Sequence, residues 1–197
     1  MDRTAARPLV IITAFASSLL LGLLIMLWAL GGVRGVTTPA AIGGPFQLTD
    51  QSGATVTEKS LHGKPTLIFF GFTHCPDVCP TALFEISEIL RAMGKDADGL
   101  NAYFISVDPE RDSKEAMKDY LSSFDPHLKG LTGDPEAIAT VLSAYRVYAK
   151  KVPLKDGDYT MDHTALTYLM DRNGKFVAPF NLNRTADEAV ADLRKYL

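Results

Sequence analysis

The run Thr66-Leu67-Ile68-Phe69-Phe70-Gly71-Phe72 carries no charge and does not alternate between polar and apolar positions. A strand of that kind has to be buried on both faces. A sheet with helices on each side provides such burial, and a one-sided antiparallel sheet does not. Lys64-Pro65 precedes the run, and Thr73-His74-Cys75-Pro76-Asp77-Val78-Cys79-Pro80-Thr81 follows it. Next, Ala82–Met93 places Leu83, Ile86, Leu90 and Met93 on one helical stripe, with Ile89 adding width. The only two cysteines in 197 residues thus sit where a buried strand feeds a helix.

That location has chemical consequences. The unpaired N–H groups at a helix start, together with the helix dipole, favour negative charge. The position therefore predicts a thiol pKa below the ~8.5 of free cysteine, and thiolates are the form that binds metals or attacks disulfides. Residues four apart share one side of a helical turn, with Cβ atoms about 5–6 Å apart. Pro80 is compatible with a first turn and with a tight loop. Either way the two sulfurs can converge on one ion or on each other. A Cys75–Cys79 disulfide would close only five residues. Loop entropy then gives about 2 kcal/mol, against ~4.7 for a hundred-residue loop. A structural staple is the weaker reading, and a chemical role the stronger one.

The rest of the chain reads as one domain behind an apolar segment. Leu9–Leu30 is 22 residues without a charge, about 33 Å as a helix, enough for a ~30 Å hydrocarbon core. Arg3 and Arg7 precede it and only Arg34 follows closely. The positive-inside bias then puts residues 1–8 in the cytoplasm, the anchor at 9–30 and everything beyond outside. A cleaved signal peptide normally has an apolar region of roughly 7–15 residues. The small residues near Ala40 also lie ten positions past this run. No Arg- and Ser-rich presequence precedes the span, which disfavours a mitochondrial address. Residues 31–45 hold five glycines and two prolines and read as a flexible linker. Residues 46–197 form the folded domain.

Within that domain, Phe46–Asp50 and Ala54–Thr57 read as a hairpin about Gln51-Ser52-Gly53. Asn101–Val107 is a second apolar strand. Ser113 caps a helix to about Phe124, and Pro126 with Gly130–Gly133 breaks the chain. Asp134, with Pro135 at the first helical position, starts a helix to about Tyr148. Lys150–Asp162 is a charged loop. Thr164–Met170 and Lys175–Phe180 form a hairpin about Asp171-Arg172-Asn173-Gly174. Thr185 caps the last helix, with Asp187 and Glu188 in its first turn and Arg194 and Lys195 in its last. Net charge is −3 and no basic patch appears, so nucleic acid is not an expected partner. Two cysteines exclude a disulfide framework and a four-thiolate zinc site.

Three stretches carry a family resemblance: Gly71–Thr81, Phe104-Ile105-Ser106-Val107-Asp108-Pro109-Glu110-Arg111-Asp112, and Asp162-His163-Thr164. Over about residues 46–197 the chain resembles the Sco (SenC) family of membrane-anchored, thioredoxin-like copper proteins, which assist assembly of the binuclear copper site of cytochrome c oxidase. The resemblance implies an α/β thioredoxin-like fold, a mixed sheet flanked by helices with an N-terminal β-hairpin, behind one transmembrane helix. In that arrangement strand 164–170 runs antiparallel beside 66–72, which delivers His163 next to Cys75 from 88 positions away. Cys75, Cys79 and His163 are the implied metal ligands, and His74 becomes a packing residue or one that stands behind the ligands. Two thiolates and an imidazole suit Cu(I) and tolerate Cu(II). Asp77, Asp162 and Asp108 are candidates for support around the ligands or for turn formation.

The leading function is a copper metallochaperone in the bacterial inner membrane, with its domain in the periplasm. Its implied partners are the copper-bearing oxidase subunit and other copper carriers or thiol reductases. The runner-up is a thiol–disulfide oxidoreductase that keeps the oxidase cysteines reduced through a reversible Cys75–Cys79 disulfide. The C-x-x-x-C spacing differs from the C-x-x-C of thioredoxin-like redox motifs. A copper or redox sensor is the third reading, and no output domain is visible for it.

Overall fold

The computed structural model describes residues 6–31, 41–155 and 157–197, with side chains in the first helix described over Ile12–Trp28. That helix, α1, is Ala6–Gly31. Among the described residues no helix is long and apolar enough to cross a membrane. Residues 1–5 and most of the expected linker, 32–40, lie outside the described residues, as do the flanking charges Arg3 and Arg34. The contact pattern separates Met1–Ala40 from a second unit, Ala41–Leu197.

The second unit is built on strand β3, Thr66–Gly71, every residue of which is buried. It pairs parallel with β4, Asn101–Ser106, and antiparallel with β8, Thr167–Met170. Beyond β4 lies β5, Leu128–Thr132, and then the hairpin β1 (Gln47–Asp50) and β2 (Thr55–Thr57). Beyond β8 lies β9, Phe176–Phe180. The full order is β2-β1-β5-β4-β3-β8-β9, a mixed sheet.

Four helices cover it. These are α2 (Val78–Met93), α3 (Lys114–Leu121), α4 (Pro135–Ala144) and α5 (Ala186–Leu193). Helices α2 and α5 pack together, α3 lies on β5 and α4 on β1. The expected stripe on α2 is buried throughout, from Leu83 to Met93. Ser113, Asp134 and Thr185 each cap the helix expected of them through their side chains. The expected mixed α/β fold with helices on the sheet is therefore observed.

Several expectations are corrected. Gly130–Gly133 was expected only to break the chain, yet residues 128–132 form the central strand β5. Gly130 lets α3 approach closely there, since a Cβ would stand 2.6 Å from Leu121 Cδ1 and 2.8 Å from Met117 Cε and both side chains would have to shift. A glycine that reads as a breaker is the close-approach point of α3. Lys150–Asp162 is not a loop. Strands β6 (Ala149–Pro153) and β7 (Tyr159–His163) pair antiparallel as a separate two-stranded sheet. None of its strand residues is buried, so it lacks the apolar pattern that marks a strand. Helices α3 and α4 end three and four residues early. At α4 the cause is the left-handed backbone of Arg146, with φ of 57°. Helix α5 ends at Leu193, so Arg194 is its C-cap and Lys195 lies beyond.

His127 is held between two carboxylates. Its ring nitrogens lie 2.7 Å from Asp125 Oδ1 and 3.3 Å from Asp98 Oδ1. The bond to Asp125 is the main cause holding its pKa above the usual histidine range. A raised pKa contributes stability that is fully present below about pH 6.5 and is lost as pH rises through the folded-state value.

Two outcomes follow for stability. Gly130→Ala should cost about 1–3 kcal/mol, the usual range for overpacking, measured by urea unfolding. His127→Gln should be destabilising at pH 6 and approach wild-type stability as pH rises toward 9. Equal destabilisation at both ends of that range would remove the proposed ion-pair clamp.

Candidate metal and thiol site

The expected helix start at Ala82 moves back to Val78, so Cys79 and Pro80 lie in the first turn of α2. Pro80 fits there because the N–H it lacks had no helical partner. Asp77 is the N-cap but makes no side-chain cap bond. Instead Cys79 N donates to Cys75 Sγ at 3.4 Å, so a sulfur sits at the position of a capping acceptor. Cys75 is half-buried and Cys79 is fully buried, and both are free thiols.

Gly71 makes room for the inner sulfur. A Cβ on it would stand 2.8 Å from Cys79 Sγ and 2.7 Å from the Phe104 ring. Burial overturns the expected acidity at this cysteine. Desolvation pushes the Cys79 thiol far above its ordinary pKa, and the neighbouring Cys75 adds to the shift. The helix start favours the thiolate, but water is excluded from it, and the second effect is larger.

The structure brings His163 to Cys79. Nε2 lies 3.8 Å from Cys79 Sγ, and the ring stands edge-on to Phe72 at 5.8 Å between centroids. The route differs from the expected one. His163 ends β7 and does not open β8, whose pairing with β3 begins at Thr167↔Phe69. Nδ1 lies 3.1 Å from Thr164 O. A carbonyl oxygen can only accept, so Nδ1 carries the proton and Nε2 presents its lone pair toward the sulfur. The Thr164 carbonyl performs the orienting role considered for Asp162, which is exposed on β7 opposite Lys150.

The remaining candidates separate. His74 is exposed, with Nδ1 3.0 Å from Thr73 Oγ1, and is not a packing residue. Asp77 is exposed. Asp108 is buried and accepts from Arg111 Nε at 2.6 Å and Tyr159 Oη at 2.9 Å. Arg111 also donates to Tyr159 O at 2.9 Å and stacks over the Tyr159 ring at 3.7 Å. This cluster fastens the β6–β7 hairpin, and with it His163, to the end of β4.

Asp112 was not singled out by the sequence, although it closes the second motif. It is buried, accepts from Thr73 Oγ1 at 2.6 Å and Thr73 N at 3.2 Å, and accepts from Ser106 Oγ at 2.7 Å. Desolvation raises its pKa against those bonds. It ties the cysteine turn to β4. The available signal was a cluster of charges directly after an apolar strand that ends on the same sheet edge as Cys75.

Among the described residues no three His, Cys, Asp or Glu side chains are gathered closely enough to hold an ion as they stand. Cys75, Cys79 and His163 are neighbours through two contacts, with Cys79 in both.

The SCO1/SenC family matches residues 34–197. The mitochondrial SCO1 homolog 1 of Arabidopsis thaliana is 44% identical over 163 residues, covering 80% of this chain and 48% of that protein. The chain therefore spans about half the length of that relative. An SCO2-like protein of Rickettsia conorii is 41% identical, covering 78% of this chain and 76% of the relative. The structure of Bradyrhizobium japonicum ScoI with copper bound is similar at a TM-score of 0.78 and 78% identity, covering 80% of this chain and all of that one.

The two thiols should differ in reactivity. Brief treatment with iodoacetamide at neutral pH should label half-buried Cys75 at least about tenfold faster than Cys79, whose thiolate is scarce and shielded. Peptide mass spectrometry would read the ratio. Equal labelling would mean that the inner sulfur is accessible in solution.

Proposed function

The chain belongs to the SCO1/SenC family, and on that premise we propose that it is a membrane-tethered copper metallochaperone using Cys75, Cys79 and His163. The observation that carries this reading is the Cys79 Sγ–His163 Nε2 approach of 3.8 Å, with Cys75 Sγ at the Cys79 amide. Two thiolates and a neutral imidazole are soft and borderline donors suited to Cu(I) and acceptable to Cu(II). The cargo ion supplies the charge that a buried Cys79 thiolate lacks in the empty site. Binding then releases thiol protons, so affinity rises with pH. Three protein donors leave room for an incoming ligand from a recipient, which favours handover over storage.

In this reading Leu9–Leu30 is a single-pass anchor, residues 1–8 stay in the cytoplasm, and residues 31–45 tether the domain 46–197 in the periplasm of a bacterial inner membrane. The family takes part in cytochrome c oxidase assembly. The recipient is accordingly the copper-bearing oxidase subunit, and other copper carriers or thiol reductases serve the same site. A second reading draws on the two free, adjacent thiols. The same pair can reduce a client disulfide by forming its own.

His163→Ala separates the two. It should weaken Cu(II) binding at least about a hundredfold, more than loss of an outer-shell partner does, and weaken Cu(I) binding less. The Cys75–Cys79 disulfide should still form. Cys79→Ser should abolish both. Anaerobic copper titration and thiol counting on the full chain check these outcomes. Wild-type Cu(II) affinity in His163→Ala would overturn the ligand assignment.

A further inference from the structure

Beside the thiol site a groove of about 530 Å³ lies between the start of α2, the end of β9 and the residues that lead into β8. We propose that this groove holds an extended segment of a partner polypeptide and selects a Lys or Arg side chain on it. The inference rests on the reading that the thiols act on another protein, and it does not depend on which metal they carry.

The first support is backbone. Ala165 and Leu166 form one wall and are exposed between β7 and β8. The N–H groups of Ala165 and Leu166 and the Ala165 carbonyl enter no hydrogen bond among the described residues, while the Leu166 carbonyl closes the end of the β8 ladder, whose pairing begins at Thr167. A strip of free backbone beside a sheet is a template for an added extended chain. Thr167, which also lines the groove, has a buried hydroxyl without a partner among the described residues.

The second support is charge. Asp77 and Glu85 line the groove, which contains no Lys or Arg. Neither pairs with a cation among the described residues. Acidic residues nearby do find partners: Glu88 with Arg91, and Asp192 with Arg184 and Lys195. Two unpaired carboxylates on one groove attract a cationic side chain and repel phosphate.

The third support is shape. Val78 and Leu166 are 51% and 46% exposed at the groove, offering apolar contact. The groove continues along α2 into a second hollow lined by Glu85, Glu88, Ile89, Leu182, Asn183 and Arg184, where the Arg184 cation is paired with Asp192. Asp77 to Ile89 rises about 18 Å along the helix, the length of about five or six residues of extended chain. Asp77 and Val78 directly precede Cys79, so a segment laid here brings its own neighbouring residues to the thiols.

The test uses the full chain in detergent micelles and a fluorescein-labelled ten-residue peptide of alternating valine and lysine, without cysteine. Its twins carry glutamate for lysine, or N-methyl groups on alternate amides. Anisotropy should show the lysine peptide binding about tenfold tighter than either twin. Glu85→Lys should erase that preference over the glutamate twin while its copper titration stays as in wild type. Asp119→Lys, a charge reversal on exposed α3, should leave the preference intact. Equal binding of the lysine and glutamate peptides would overturn the proposal. So would a preference that survives Glu85→Lys or falls equally with Asp119→Lys, which would signal bulk charge. Binding unaffected by N-methylation would remove the backbone pairing. If peptide selection holds while wild-type copper binding fails, the groove stands and the metallochaperone reading falls.

Discussion

Cys79 can be fully buried only because Gly71 has no side chain. The sulfur fills the space over the last residue of β3, against the Phe104 ring. This one contact sets where α2 begins, since Cys79 lies in its first turn. It also sets where Cys75 must be, because the Cys79 amide donates to the Cys75 sulfur. Everything else at the site is arranged around a sulfur fixed by backbone. Asp112 draws the turn onto β4 through Thr73 and Ser106. Phe72 offers its face to the edge of His163.

A buried thiol beside a buried carboxylate is an arrangement that resists negative charge. Both Cys79 and Asp112 have raised pKa values, chiefly from desolvation. Desolvation therefore favours the neutral form of the inner thiol. On the ligand set proposed above, sulfur and imidazole would suit a soft cation better than a hard one, which needs oxygen. Burial thus contributes to selectivity as well as to protection from oxidation, which needs an accessible thiolate.

The parts of this structure legible in the sequence are those whose local signal and tertiary role agree. An uninterrupted apolar run marks β3, a 3.6-residue stripe marks α2, and Ser113, Asp134 and Thr185 mark three helix starts. The missed parts are those where the two disagree. Strand β5 contains Lys129 and Gly130, which read as a break, because the glycine answers to α3 packing and not to the strand. Strands β6 and β7 are held largely by polar contacts such as the Arg111, Tyr159 and Asp108 cluster and bury no residue fully, so no apolar period announces them. The acidity of Cys79 was misjudged for a related reason. A helix start is visible in sequence, but the burial of the residue in its first turn is not.

The placement of His163 follows from the same division. A ligand at the start of a central strand would be as rigid as the sheet. His163 instead ends a separate two-stranded sheet. That sheet is attached by the partly buried Ala149 and Met161 against the core, by the Phe72–His163 ring contact, by the Arg111–Asp108–Tyr159 cluster, and by Lys151 to Glu110 at 2.5 Å. The last is exposed and contributes little on its own. An element with few buried apolar contacts opens at lower free energy than the core beside it. The two sulfurs are held where β3 meets α2, and the imidazole is carried by the separate hairpin. On the reading proposed above, exchange of His163 for an outside donor would leave both thiolates in place, which is what ligand exchange between proteins would require.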